Sequence, residues 1–291
     1  MQPNSEINAL LSLIDDPDEE VYQTVEQRLM SYGSPLIPDL ENLWENTISE
    51  EVQERIEMVI HRIQFIDLKQ ELLQWLQGDM DLLHGALLVS KYAYPELQGI
   101  KSLQEFEKMR RNLWLEMNNF ITPIEQVKIF ESILFNYYKL RGGEINYSKP
   151  DDFVIHKVIE SKKGNAITNG ILYIALAEKL DVPIRALRIP RQFVLGYFSQ
   201  QALFNESFEN DKPSEKIKFF IDPNSGTAFS HKDMEQYFTR INLSPAGRYF
   251  KPISNTGIIK MLFAQFARCY DKPATLYRKN ELEELAEMLK D

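Results

Sequence analysis

Between Gly164 and Leu187 the sequence changes its hydrophobic period once, and that change constrains the fold more than any other stretch. Gly164 permits a tight approach turn. After it Ile167, Ile171, Ile174, Ala175 and Leu180 recur at helical spacing, so an amphipathic helix is expected. Asp181-Val182-Pro183 breaks that helix, and Ile184-Arg185-Ala186-Leu187 reads as a strand. A helix handed directly to a strand sets an α+β expectation for this part of the chain.

Bulk properties narrow the rest. A length of 291 residues suggests about two domains. With 44% hydrophobic and 11% aromatic residues the chain can fill a sizeable core. The net charge of −10 is spread along the sequence, and no Lys/Arg stripe offers itself to phosphates. Lys162-Lys163 and Arg110-Arg111 are isolated doublets on solvated faces, so no nucleic-acid partner is expected. The first residues, which include Asp15-Asp16-Pro17-Asp18-Glu19-Glu20, carry no export pattern. No apolar run approaches the roughly 18 residues of a membrane span. Cys269 is the sole cysteine, and His61, His84, His156 and His231 are far apart in sequence. A cytoplasmic protein without metal, cofactor or membrane partner is therefore expected.

The amino-terminal third reads as helices. Asp16-Pro17-Asp18-Glu19 looks like a helix opening, with Asp16 as N-cap and Pro17 in the first turn. That helix should bury Val21, Val25 and Leu29 and end at Gly33. Ser34-Pro35 opens a second helix through Leu36, Leu40, Leu43 and Trp44, and Ser49 a third through Val52, Ile56, Val59, Ile60 and Ile63. Glu19–Glu26 is echoed by Glu50–Glu57, a spacing that looks like HEAT-type helix pairs. Two unrelated helices with a common start signal would give the same echo. Further helices are expected over 82–92, 103–118 and from Thr122, where Thr122-Pro123-Ile124-Glu125 forms a capping box. A short helix over 153–160 should deliver the chain to Gly164. Residues 200–214 read as a polar, mobile hairpin loop, 248–252 as an extended aromatic segment, and 256–270 and 276–289 as helices.

Several segments then carry a resemblance. Ala93-Tyr94-Pro95-Glu96-Leu97, Trp114-Leu115-Glu116-Met117-Asn118, Thr122–Val127, Glu160–Asn165 and Arg188–Leu195 resemble, in order and spacing, the SirB-type branch of the transglutaminase-like superfamily. The likeness covers roughly residues 70 to 270. It implies a papain-like core in which a cysteine opens the helix, a histidine on a following strand moves the proton and an aspartate on the next orients it. The cysteine position falls on Ala166, two residues after Gly164. Relatives carry Pro-x-His-Phe where this chain has Pro190-Arg191-Gln192-Phe193, so Gln192 replaces the base. Phe219-Phe220-Ile221-Asp222-Pro223 supplies the aspartate as Asp222. Members of this branch commonly lack the cysteine; the missing histidine is the further departure.

A methyl group cannot attack a carbonyl, and a carboxamide is no base near neutral pH. Loss of nucleophile or base in a comparable triad costs roughly 10⁶ in turnover. Substitutes are poor: Thr168 is turned about 200° from Ala166, its hydroxyl expected on a helical carbonyl or on solvent. Cys269 reads as a core thiol and His156 as a cap or surface group. Asp222-Pro223-Asn224-Ser225-Gly226 is itself a good turn, so Asp222 is able to serve the turn and Gln192.

The reading is therefore an α+β protein. A HEAT-like helical region over 1–68 and a helical subdomain over 69–140 precede a transglutaminase-like core with a small antiparallel sheet over 141–255. A closing helix pair over 256–291 resembles a tetratricopeptide start. The expected function is non-catalytic binding of an unidentified peptide or protein, with Asn165, Thr168, Gln192 and Asp222 in the cleft. A thiol-independent hydrolase or acyltransferase around Asp222 is the alternative, and a structural descendant with a filled cleft a third reading.

Overall fold

The computed structural model describes residues 3–118, 120–199 and 213–290. The loop expected over 200–214 lies outside them except for its last residues. The contacts of the chain divide it into two units between Gln74 and Trp75.

The first unit is helical, and its helices begin where side-chain oxygens cap them. α1 spans Pro3–Leu11 and α2 Glu19–Met30. Asp18, not Asp16, caps α2, accepting from the Glu20 amide at 2.9 Å. Asp16 instead accepts from the Asp18 amide in a turn of its own, which delays the helix past Pro17. α2 buries Tyr22, Val25, Glu26 and Leu29, while Val21 is only half-buried. Glu26, 4% exposed, is paired by Arg62 and accepts from the Tyr22 hydroxyl at 3.2 Å. Burial, with the Glu26 carboxylate alongside, pushes the Tyr22 phenol up to about 12. After Gly33, at a φ of 69°, a 3₁₀ turn over Ser34–Leu36 leads into α3 (Ile37–Asn46). α4 spans Glu50–Gln77 and runs through the boundary placed at 68/69, because neither glycine nor proline interrupts it. Leu29, Leu36, Leu40, Ile56, Val59 and Ile63 form the centre of this unit.

The second unit opens with α5 (Leu82–Ala93), capped by Asp81 on the His84 amide. α6 (Ile100–Glu116) starts earlier than expected, on Gly99 in the left-handed region. α7 (Pro123–Phe130) has the expected Thr122–Glu125 capping box and continues as a π-helix over Glu131–Tyr137. β1 is Arg141–Gly143. The helix expected over 153–160 is split: Pro150–Phe153 is a 3₁₀ turn, Val154 is extended, and α8 spans Ile155–Ser161. β2 (Lys163–Asn165) pairs parallel to β1 with Gly142 opposite Gly164. Gly164, expected in an approach turn, is thus the middle of a short strand. α9 (Ala166–Glu178) follows directly.

β3 (Ile184–Leu187), β4 (Val194–Phe198), β5 (Ile217–Ile221) and β6 (Ala228–Phe229) form an antiparallel sheet in chain order. α10 (Pro213–Lys216) is a single turn before β5, and α11 (His231–Arg240) begins at the Ser230–Asp233 capping box. Leu187, Val194, Phe198, Phe220, Phe238 and Phe250 pack together between sheet and α11. The segment expected as extended over 248–252 is partly a 3₁₀ turn, Gly247–Phe250. Beyond it Pro252 bridges Leu187, and the Ile253 amide donates to the Ala186 carbonyl at 2.9 Å. α12 (Asn255–Ala267), capped by Ser254, packs on α5 and on α13 (Leu276–Met288). Among the described residues no helix is long and apolar enough to cross a membrane.

Candidate functional site

The first turn of α9 is closed by its own residues. Asn165 Oδ1 accepts from the Ile167 and Thr168 amides at 2.9 and 3.1 Å. The Asn165 amide in turn donates to Thr168 Oγ1 at 3.1 Å, and Asn165 Nδ2 donates to the Asp152 carbonyl at 2.9 Å. Asn165 and Thr168, expected in the cleft, are 1% and 0% exposed, and the hydrogen bonds of both close the helix cap. The Thr168 hydroxyl thus serves the Asn165 amide, not the carbonyl or solvent expected for it. Ala166 is the first residue of the helix and is half-buried.

The residues that follow the histidine and aspartate positions, Phe193 and Pro223, meet at Gly170, one turn along the helix from Ala166. A Cβ built at Gly170 would lie 2.4 Å from Phe193 Cε1 and 3.4 Å from Pro223 Cβ. Phe193 follows Gln192 and Pro223 follows Asp222, so a bare backbone at 170 lets both segments close on α9. Gln192 itself is exposed while Phe193 is buried. Asp222 is held by its own turn: Oδ1 accepts from the Asn224 amide at 2.9 Å and Oδ2 from the Ser225 hydroxyl at 3.0 Å. Its carbonyl accepts from the Gly226 amide at 2.7 Å. No hydrogen bond joins Gln192 to Asp222 among the described residues. The turn is fitted to the glycine strands, since a Cβ at Gly142 would lie 2.1 Å from Asn224 Oδ1.

Other chemical groups sit elsewhere. Cys269 lies just beyond the end of α12, half-buried, and burial with Asp152 and Asp271 nearby pushes its thiol up to about 12. It is a thiol, not a thiolate, at neutral pH. His156, expected as a cap or surface group, is 4% exposed and sits edge-on to Tyr94, centroids 4.7 Å apart. Burial lowers its pKa, with Glu160 and Asp151 opposing and Lys157 adding. The unfolded imidazole titrates near about 6.5, so stability is full above that pH and falls as pH drops through it towards the lower folded value. The melting temperature should decline between about pH 7.5 and about pH 5.5, and less steeply in His156→Gln. Equal slopes in the two proteins would show that His156 is protonated without cost. Among the described residues no group of three His, Cys, Asp or Glu side chains is placed to hold a metal.

A cavity of about 550 Å³ opens beside Gln192. One wall is a stripe of α12 with Arg268, its C-terminal cap: Gly257, Lys260, Met261, Ala264 and Gln265 precede it. The facing wall is the 187–193 segment, joined by Ile145, Tyr147, Ile167 and Ile253. Arg191 adopts a φ of 63°, and the Tyr237 hydroxyl anchors this segment by donating to the Pro190 carbonyl at 2.6 Å. Asp222 does not line the cavity. The buried face of α12 carries Ile259, Leu262, Phe263 and Phe266, and the cavity stripe is the opposite face. Its signal was available: small and polar residues at helical spacing between those core positions.

A family model described as the transglutaminase-like superfamily matches residues 100–263, more than half of the chain. Protein SirB1 of Salmonella typhimurium is 20% identical over 161 residues, 55% of this chain and 51% of that protein. A UPF0162 protein of Vibrio cholerae is 24% identical over 117 residues, 40% of this chain and 43% of its own length. A UPF0162 protein of Buchnera aphidicola is 23% identical over 145 residues, 48% of each chain. The match thus spans about half the length of the curated relatives. No solved structure matches.

Proposed function

The chain belongs to the transglutaminase-like superfamily, in its SirB-type branch, and from that premise we propose that it binds peptide or protein segments without catalysing acyl transfer. The observation that supports this is the state of the three chemical positions. Ala166 offers no nucleophile, Gln192 no base, and Asp222 is engaged by the Asn224 amide and the Ser225 hydroxyl. The open volume lies next to Gln192 and away from Asp222, between α12 and the 187–193 segment. The ligand is protein rather than nucleic acid or membrane, met in the cytoplasm.

Ser225 favours the alternative of a thiol-independent hydrolase, because its hydroxyl lies 3.0 Å from Asp222 Oδ2. A carboxylate is a far weaker base than imidazole for a serine hydroxyl, and this bond closes a turn outside the cavity. The test is turnover of ester, peptide and acyl-glutamine substrates by the intact chain. The expected result is no rate above that of Asp222→Ala. Turnover abolished by both Asp222→Ala and Ser225→Ala, but kept in Cys269→Ser, would overturn the non-catalytic reading. Restoring Ala166→Cys and Gln192→His in a Cys269→Ser background should give a thiol that iodoacetamide alkylates faster than Cys269, since a helix N-terminus favours thiolate. Acyl transfer should stay absent while Asp222 remains committed to its turn.

A further inference from the structure

The cavity beside Gln192 carries charge of one sign. Lys260 and Arg268 project from the α12 wall and Arg191 from the opposite one. Among the described residues that line it none is a carboxylate, in a chain whose net charge is −10. Arg268 is oriented by neutral groups. Its guanidinium stacks 3.8 Å from the Tyr147 ring centroid and donates to the Tyr147 hydroxyl and, at 3.3 Å, to Gln265 Oε1. The Tyr147 hydroxyl donates in turn to Gln265 Oε1 at 2.6 Å. These bonds fix the direction of the positive charge without cancelling it. Ile167, Ile189, Ile253 and Met261 supply apolar surface between the cations. A volume of about 550 Å³ accepts several side chains and is far too large for a single inorganic anion.

We propose that this groove binds a peptide segment in which carboxylate and apolar side chains are interspersed. The inference rests on the reading of the cleft as a binding site and adds the chemistry of its ligand. The far field of an acidic protein opposes such a ligand, but screening decides the balance. At about 0.15 M salt charges act over about 8 Å, so a bound carboxylate senses Arg191, Lys260 and Arg268 before the distant acidic surface. Guanidinium and ammonium groups bind carboxylates with charge-assisted hydrogen bonds, and the isoleucines exclude water around them.

The experiment is fluorescence anisotropy of the full chain with three sets of labelled peptides that share their apolar positions. The sets carry Glu/Asp, Gln/Asn or Lys at the remaining positions, and dodecanoate is titrated alongside. The acidic set should bind about tenfold tighter than the neutral one, with the margin shrinking at high salt. Arg191→Glu combined with Lys260→Glu should weaken acidic peptides about tenfold and abolish the preference over the neutral set, the two new carboxylates offsetting Arg188 and Arg268. Should that variant melt early, Lys260→Gln alone should still shrink the acidic preference. Equal binding of the acidic and neutral sets would overturn the charge inference and leave peptide binding standing. Cleavage or acyl transfer of the peptides would instead overturn the non-catalytic reading. Binding of dodecanoate with none of the peptides, or of nothing at all, would overturn the proposal.

Discussion

Gly142→Ala is expected to lower the stability of the fold by about 2–3 kcal/mol, the cost of overpacking a site that cannot relax. Gly142 is exposed, and exposed positions usually tolerate alanine within about 0.5 kcal/mol. Exposure misleads here because only one face of the strand is open. On the other, a Cβ would lie 2.1 Å from Asn224 Oδ1 and 2.4 Å from both Asn224 Cβ and Cγ. Since Asn224 Cβ is among these atoms, rotating the side chain gives no relief; the turn that holds Asp222 has to move. Gly143→Ala is the matched control, because its nearest neighbour, the Gly164 carbonyl, is 3.7 Å away. Urea unfolding of the two variants should separate them clearly. In an Asn224→Gly background the Gly142→Ala penalty should shrink, and an undiminished penalty would place the clash elsewhere.

Gly170→Ala sets two terms against each other. Alanine is favoured over glycine inside a helix by about 1 kcal/mol. Against that, the new methyl would meet Phe193 at 2.4 and 2.8 Å and Pro223 at 3.4 Å. Phe193 is buried, and its ring has to swing towards the cavity it lines or carry with it the segment that holds Arg191 and Gln192. Packing should win, with a net loss of about 2 kcal/mol. Affinity for peptide should fall as well, since the loop forms one wall of the groove. Phe193→Leu, which removes the clashing ring atoms, should recover part of both effects. A Gly170→Ala protein as stable as the parent would mean that Phe193 does not rest on α9.

α9 is legible as a helix from Ile167, Ile171 and Ile174, but it is not the amphipathic helix expected: every residue from Ile167 to Ala177 is buried, Thr168 and Asn169 included. Sequence reading failed where a residue does something other than its period suggests. Gly142 and Gly164 read as punctuation because a strand of glycines has no alternation; they pair because Asn224 and Asn169 leave room for nothing larger. Glu26 is buried beside Val25 and Leu29, which apolar spacing does not indicate, because Arg62 and Tyr22 satisfy it. Asn165 and Thr168 sit three apart at a helix start, the pattern of a cap, but the resemblance drew attention to the cleft instead. The same resemblance pointed to Gln192, which does line the cavity, and to Asp222, which does not. The cationic stripe of α12 lies outside the triad segments, so neither period nor resemblance singled it out.

The sheet beside the groove has little free edge. β6 is only two residues long, and the outer side of β3 already receives Pro252 and the Ile253 amide. Proteins that capture peptides by β-augmentation present an unpaired strand whose main chain supplies affinity whatever the guest sequence. Here that position is occupied by the chain itself, at the point where Leu187 and Ile253 enter the cavity wall. With that edge taken, the proposed guest is recognised through contacts with the side chains of the cavity rather than by strand pairing on β3. Recognition of that kind is read in the order of residues along the guest, and it withholds from passing strands the template on which aggregation begins.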